Sequence, residues 1–460
     1  MDFIAAASGG RIVSGKPEVA ITRVSTDSRQ IRAGDLFVAL SGERHDGHAF
    51  VAEVAAGGAA AVMIERDRIL EALPDCPVVA VPDTRRALGA LAARYRADFA
   101  LPVTVVGGSN GKTTTKELIA AVLRQKFTAL WSDASFNNDV GVPMTLLRLD
   151  RTHEAAVLEA GTNHPGELAP LVRMIQPRFG VVTNLGREHL EFFGDLAGVA
   201  DEEGWLAELL PPGGRLFVNG DDEWTPKLIA RTRASVVRAG LTEGNHWRAR
   251  RLIPDKQGVS FRVDAPISEY SGGYRINLLG RHQVVNALLA MAVGAELGVA
   301  PDEIRRGLAQ CQPAKMRLQM WEVNGVRVLD DAYNANADSM IAALETLRDL
   351  PCKGRRVAVL GDMAELGAHT RAAHEEVGRR AAELGVGQLF AVGSMASVTG
   401  GAARAAGLQR VFEFGEVETA VAALKTFLKP GDVLLLKASR SARLERIADA
   451  LRPGEAARKN

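Results

Sequence analysis

Val103-Thr-Val-Val-Gly-Gly-Ser-Asn-Gly-Lys112-Thr-Thr-Thr-Lys-Glu117 runs from a β-branched segment through glycines into Lys-Thr and a helix-like continuation. A strand that breaks at glycines and resumes as a helix is the opening unit of a parallel α/β fold. The same stretch is built to hold phosphate. Gly108, Ser109, Asn110 and Gly111 let backbone N–H groups face an anion, and the following helix N-terminus adds partial positive charge. Lys112 can span β- and γ-phosphates, and Thr113, followed by Thr114, can ligate Mg²⁺. The spacing is shorter than G-x4-G-K-[ST], because Val106 stands where the first glycine of that rule would be. A nucleoside triphosphate is the expected ligand. The plainer alternative, a glycine turn with a solvated lysine, explains Lys-Thr-Thr at a helix start poorly.

Outward from this loop, the chain is too long for one core: 460 residues correspond to about three domains at ~150 residues each. Residues 1–100 mix short strand-like runs (Asp35–Leu40, Ala59–Ile64, Pro77–Val81) with helical patches and close on Ala87–Tyr95. Residues 101–314 alternate strand, loop and helix, with buried-type strands at Ala155–Leu158 and Phe179–Thr183, as in a mostly parallel sheet. Residues 315–460 repeat the pattern near Val326–Leu329, Arg356–Leu360, Leu389–Val392 and Val433–Leu436, with a helical stretch at Thr370–Ala382. The expected fold is therefore α/β in three domains: a small one, a central P-loop domain and a C-terminal Rossmann-like domain.

Composition narrows the partners. Hydrophobic content of 47% with 24% charge is globular, and a net charge of +1 gives no bulk field to hold nucleic acid. Cys76, Cys311 and Cys352 are scattered without C-x-x-C spacing, which fits buried thiols in a reducing compartment. The N-terminus lacks a basic segment ahead of an apolar one, and no apolar run approaches ~18 residues. A cytoplasmic protein without membrane insertion is expected, and a monomer.

Magnesium needs hard oxygen ligands, which in a parallel sheet belong at the carboxyl ends of strands beside the loop. Glu159 follows Ala155-Ala-Val-Leu158 in that position, although a carboxylate there also suits a helix cap. His189 occupies the equivalent exit of the next strand, where a lone histidine can equally be structural. The amide-rich Ser135-Phe-Asn-Asn-Asp139-Val-Gly-Val-Pro143 suits a sugar or phosphate, as well as an ordinary turn. Asp330-Asp331-Ala-Tyr-Asn-Ala-Asn336 leaves a third-domain strand and suits ribose hydroxyls or a substrate, or a solvated turn.

In this order these segments resemble the Mur ligase family over nearly the whole chain. The resemblance rests on Ser25-Thr-Asp-Ser-Arg29 with Gly34–Leu40 and Gly42, Gly111–Glu117, Asn137–Pro143, and His189-Leu-Glu-Phe-Phe-Gly194. It continues through Gly280-Arg-His282-Gln-Val-Val-Asn286, Arg317-Leu-Gln and Asp330–Asn336. Asp331–Asn336, Val359-Leu-Gly-Asp-Met-Ala-Glu-Leu-Gly367 with His374, and Lys437-Ala-Ser-Arg-Ser441 resemble the branch that adds D-Ala-D-Ala. The resemblance implies an ATP-dependent amide ligase. Such enzymes phosphorylate the terminal carboxylate of UDP-N-acetylmuramoyl-tripeptide, and the amine of D-Ala-D-Ala then attacks the acyl phosphate. It further implies that Lys112 and the loop amides hold the triphosphate, that Thr113 and Glu159 hold one Mg²⁺, and that His189 with Glu159 holds a second. His282, Asn286, Arg317 and Asp331 match adenosine and phosphate contacts. Thr26, Ser28 and Arg29 fall where relatives bind UDP, so residues 1–100 become the UDP-substrate domain. Asn334, Asn336 and Ser439 fall near the tripeptide end and the dipeptide. Neighbouring ligases of the family, adding the third amino acid or glutamates to folate, and a non-catalytic nucleotide-binding scaffold are the rival readings.

The chain departs from the family at a telling place. Relatives usually carry a lysine fourteen positions after the metal-binding histidine, converted by CO₂ to a carbamate that helps fix the second Mg²⁺. Here that position is Glu203, preceded by Glu202. Glu203 is the expected replacement ligand; the alternative is that both glutamates decorate a solvated helix. Smaller departures are Gly107 for threonine, Ala337 for proline and Ala438 for glycine.

Overall fold

The computed structural model describes residues 1–42, 45–68 and 74–452, and these form three sheets in succession along the chain. Residues 453–460, at the end of the expected third domain, lie outside the described residues.

The first sheet contains β1 (Arg11–Ser14), β2 (Arg23–Ser25), β3 (Asp35–Val38), β4 (Ala61–Glu65) and β5 (Val78–Val81) in the order β1-β5-β4-β3-β2. Only β1 is antiparallel to its neighbour. The helix Thr84–Arg96 starts where the Asp83 carboxylate accepts the Arg86 N–H, and its Leu88 and Leu91 pack on Leu36, Met63 and Val79.

The central sheet has nine strands: β6 (Val103–Gly107), β7 (Ala129–Trp131), β8 (Ala155–Glu159), β9 (Phe179–Val182), β10 (Arg215–Asn219), β11 (Ser235–Gly240), β12 (Trp247–Pro254), β13 (Val259–Asp264) and β14 (Gly272–Ile276). Their order is β14-β13-β12-β11-β10-β9-β6-β8-β7. The strands from β12 to β7 run parallel, and β12–β14 continue as an antiparallel meander. The period of two in β6 sends Val106 to one face and Val105 to the other. One face is covered by Lys112–Leu123 and Gln283–Glu296, the other by Leu168–Ile175 and Leu196–Glu208. Burial on both faces explains why these strands read as continuous apolar runs.

The third sheet has β15 (Gln319–Val323), β16 (Val326–Asp330), β17 (Arg356–Gly361), β18 (Gln388–Val392), β19 (Val411–Phe414) and β20 (Val433–Lys437) in the order β15-β16-β20-β17-β18-β19. Again one edge strand, β15, is antiparallel. The site follows from this topology. β6 lies between β8 and β9, and the helices after β6 and β9 leave to opposite faces, so a crevice opens at their carboxyl ends.

Candidate active site

The loop after β6 is held from beneath and from one side. Gly108 and Gly111 have φ of 103° and 82°, a region that L side chains rarely enter. A Cβ at Gly108 would also lie 2.5 Å from Thr183 Oγ1. The exit of β9 braces the loop: Ser109 N–H donates to the Asn184 carbonyl (2.8 Å), and Asn110 N–H donates to Asn184 Oδ1 (3.1 Å). The Lys112–Leu123 helix begins at Gly111, so its first N–H groups have no partner within the helix, whereas the amides of Gly108, Ser109 and Asn110 are taken by Glu203 and Asn184.

Lys112 Nζ donates to the Gly108 carbonyl (2.5 Å), the Ser109 carbonyl (3.0 Å) and Glu188 Oε2 (3.3 Å). Burial alone would lower its pKa, but the carboxylates of Glu188, Glu203 and Glu159 outweigh that and hold the ammonium above its ordinary value. Glu159, the last residue of β8 and 1% exposed, accepts from the Thr113 hydroxyl (2.8 Å) and from Asn137 Nδ2 (2.8 Å). The carboxylate is thus tied to the loop threonine and to the amide-rich turn.

His189 has a left-handed backbone, and its Nδ1 meets the Glu365 carboxylate of the third domain. Its Nε2 lies 3.9 Å from Glu188 Oε2. The hydrogen bond from His189 is the largest influence holding the Glu365 carboxyl below its usual range. Glu202 and Glu203 sit on Leu196–Glu208 and neither is solvated, at 5% and 1% exposed. Glu202 accepts the N–H groups of Gly166 and Leu168 (both 2.8 Å), which commits it to the loop after β8. Glu203 Oε2 accepts the Gly108 N–H at 2.7 Å, while its buried Oε1 has no hydrogen-bond partner. Burial pushes the Glu203 carboxyl up to about 7 against the pull of Lys112.

The third domain closes over this centre. Arg317 stacks on Tyr333 at 4.0 Å and reaches Thr113 Oγ1 at 3.5 Å. Asp331 takes the Leu318 N–H (3.0 Å) and pairs with the buried Lys437 (2.6 Å), which also reaches the Asn334 carbonyl (3.1 Å). Asn336 caps the helix Ala337–Asp349 and donates to Asn110 Oδ1 (3.0 Å). Ser439 Oγ donates to the Ala335 carbonyl and accepts the Ala364 N–H. His374 is structural, accepting the Met363 N–H and meeting the Thr370 carbonyl from a 1% exposed position.

Ser109 to Thr114, Glu159, Glu188, His189, Glu365, Arg317, Asp331, Asn334, Asn336 and Ser439 line one cavity of about 1420 Å³ with His282 and Asn286, whereas Gly108, Glu202, Glu203 and His374 lie behind its wall. Thr26, Ser28 and Arg29 are not brought into it; Ser28 and Arg29 lie on the short turn after β2, Arg29 pairing with Asp27, and Arg85 is the first-domain residue on the cavity wall. Three residues in the site escaped the sequence reading. Glu188 had a signal, an acid adjacent to His189 at the same strand exit. Glu365 lies inside the Val359–Gly367 segment. Arg187, which binds Asp338 (2.9 Å) and Glu376 (2.6 Å), depends on a contact between domains that no spacing encodes.

The donor set suits a hard divalent cation. Three buried carboxylates, Glu159, Glu188 and Glu203, crowd one ammonium, and Oε1 of Glu203 is left without a donor. Among the described residues no group of three or more His, Cys, Asp or Glu is already assembled around one point. Magnesium tolerates that, since it uses one or two carboxylates and keeps several waters.

Comparison with known proteins places these observations. The Mur ligase middle domain model matches residues 106–294, the Mur ligase glutamate ligase domain model 316–440, and the Mur ligase family catalytic domain model 20–96. The UDP-N-acetylmuramoyl-tripeptide–D-alanyl-D-alanine ligase of Escherichia coli strain K12 is 37% identical, with 94% of each chain covered. The enzyme of the same name from Bacillus subtilis strain 168 is 33% identical over the same shares. Among solved structures, MurF from Acinetobacter baumannii superposes with a TM-score of 0.88 at 33% identity, covering 98% of each chain. The MurF ligase of Thermotoga maritima in complex with ADP gives 0.81 at 27% identity, covering 95% of this chain and 98% of that one.

Proposed function

The chain belongs to the Mur ligase family, and from that premise we propose that it joins D-Ala-D-Ala to UDP-N-acetylmuramoyl-tripeptide, with ATP, in cytoplasmic peptidoglycan precursor synthesis. The observation that carries this reading is the meeting, in one cavity, of the phosphate loop, Glu159 and His189 with Asn334, Asn336 and Ser439 of the third domain. A carboxylate is a poor electrophile because oxide is a poor leaving group. Moving the γ-phosphoryl group of ATP onto the tripeptide carboxylate supplies a good one. The D-Ala-D-Ala amine then adds to the acyl carbon, the C–O bond to phosphate breaks, and amide, ADP, phosphate and a proton result.

The chain's own residues do the positioning. Lys112 and the free N–H groups at the start of its helix hold the β- and γ-phosphates, with Gly108, Ser109, Asn110, Gly111, Thr113 and Thr114 shaping the cradle. Thr113 and Glu159 would hold one Mg²⁺. His189 Nε2, with the neighbouring Glu188 and the free Oε1 of Glu203, would hold the second. When bound, these cations neutralise charge that otherwise repels the incoming carboxylate. His282, Asn286, Arg317 and Asp331 receive the adenosine and its phosphates. Thr26, Ser28 and Arg29 receive UDP away from the cavity, which suits a long substrate whose reacting end is remote from its nucleotide. The division 1–100, 101–314 and 315–460 then separates UDP recognition, ATP chemistry and closure, in a monomer. Among the described residues no helix is long and apolar enough to cross a membrane.

The test is ADP release across a panel of UDP-muramoyl peptides, each alone, with D-Ala-D-Ala and with a diamino acid. Release is expected with the tripeptide and D-Ala-D-Ala together. Release with the UDP-linked dipeptide and a diamino acid would make the protein the preceding ligase, and steady release with ATP alone would make it an uncoupled ATPase.

A further inference from the structure

Gly107, the last residue of β6, does not owe its identity to its backbone, because its φ is not in the left-handed region that Gly108 and Gly111 occupy. Space explains it. A Cβ at this position would lie 2.8 Å from Oε2 of Glu203 and 3.2 Å from Leu206 Cδ2, and the former is closer than real Cβ contacts come. The same helix, Leu196–Glu208, crosses a second glycine one strand away. A Cβ on Gly180 of β9 would lie 3.3 Å from Leu206 and 3.0 Å from Leu210. Two adjacent strands therefore present bare backbone to this helix, which seats it deep against the sheet.

That depth matters because a glutamate side chain is short, with three bonds from Cα to its carboxylate carbon. With the helix lowered onto glycine, the Glu203 carboxylate arrives directly beneath the phosphate loop and takes the Gly108 N–H at 2.7 Å. Glu202, one residue earlier on the helix, turns to another loop, so the brace is specific to Glu203.

We propose that Gly107 and Glu203 are an interlocked pair: the carboxylate fills the volume of a residue-107 side chain and, through Gly108 N–H, sets the first turn of the nucleotide-binding loop. Glu203 is thereby a positioning residue for the triphosphate cradle, independently of any cation it meets through Oε1. The pair rests on the nucleotide reading of the loop given above.

The experiment measures the dissociation constant for ADP in EDTA, which removes any metal contribution, for the wild type, Gly107→Ala, Glu203→Ala, Glu203→Gln and the corresponding double variants. Gly107→Ala should weaken ADP binding about 10-fold in the wild-type background, within the range of coupling between touching residues. In the Glu203→Ala background the same substitution should cost no more than about two-fold, because the oxygen it meets is gone. Glu203→Gln keeps the shape and the acceptor, so Gly107→Ala should remain harmful there. An equal factor in all three backgrounds overturns the pair. Should Gly107→Ala alone fail to fold, a double variant with Glu203→Ala that folds and binds ADP supports it, and one that also fails overturns it. A wild type that does not bind ADP would instead contradict the nucleotide reading itself.

Discussion

Lys112 stands at the mouth of the loop as the one ammonium among three buried carboxylates, and its charge is raised in pKa by them. Positive charge so placed matters most while the γ-phosphoryl group is in flight. Lys112→Ala should lower turnover by ~10²-fold or more, the scale of losing one well-aimed electrostatic donor. Near-normal turnover in a folded variant would remove the phosphate-cradle assignment. Glu203 brings its own carboxyl group to the position where the family resemblance implies a CO₂-derived carbamate. Turnover of the wild type in CO₂-depleted buffer should therefore be unchanged when bicarbonate is added. Several-fold stimulation by bicarbonate would show that some other carbamate does the work.

Two left-handed residues on different domains meet at the element scale: His189, at the start of the short helix Leu190–Phe193, and Glu365, in the loop after β17. Glu365 accepts the Glu191 N–H on its carbonyl (3.0 Å) and meets His189 Nδ1 with its carboxylate. A carboxylate on one ring nitrogen fixes which nitrogen is free for a metal. Glu365→Ala should weaken Mn²⁺ binding ~10- to 100-fold, read by the electron paramagnetic resonance of free Mn²⁺, and Glu365→Gln should recover part of it. An unchanged Mn²⁺ affinity in Glu365→Ala would mean the contact only packs the domains. Why the sequence showed one partner and not the other is physical. Strands such as Ala155–Glu159 and Phe179–Val182 are buried on both faces, so they read as apolar runs and placed Glu159 at a strand end and His189 just beyond the next. β12, with Arg248, Arg250 and Arg251 along it, has an exposed face and belongs to an antiparallel meander, so its pattern did not announce a strand. Glu365 and Arg187 gain their roles only from a neighbour far along the chain, which local periodicity does not record. Glu203 was legible as an oddity of position, whereas its use of Gly107 required the packing depth of a helix.

On the scale of the whole molecule, the second and third domains are joined across the cavity by Arg187 with Asp338 and Glu376, by Asn110 with Asn336, and by His369 with the Gly194 carbonyl. Arg187 makes the strongest of these links, a fork shared between two helices of the third domain. Arg187→Ala should lower kcat/KM for the tripeptide ~10-fold, the scale of a charged hydrogen bond, and raise the radius of gyration in small-angle scattering with ATP bound. A variant as compact and as efficient as the wild type would show that closure does not depend on this fork. The central claim is that the three domains assemble around one phosphoryl transfer to a carboxylate. It is tested most directly by labelling the terminal carboxylate of the tripeptide with heavy oxygen and analysing the released phosphate by mass spectrometry. The account predicts one labelled oxygen in each phosphate formed with D-Ala-D-Ala present; phosphate free of label while amide accumulates would contradict it.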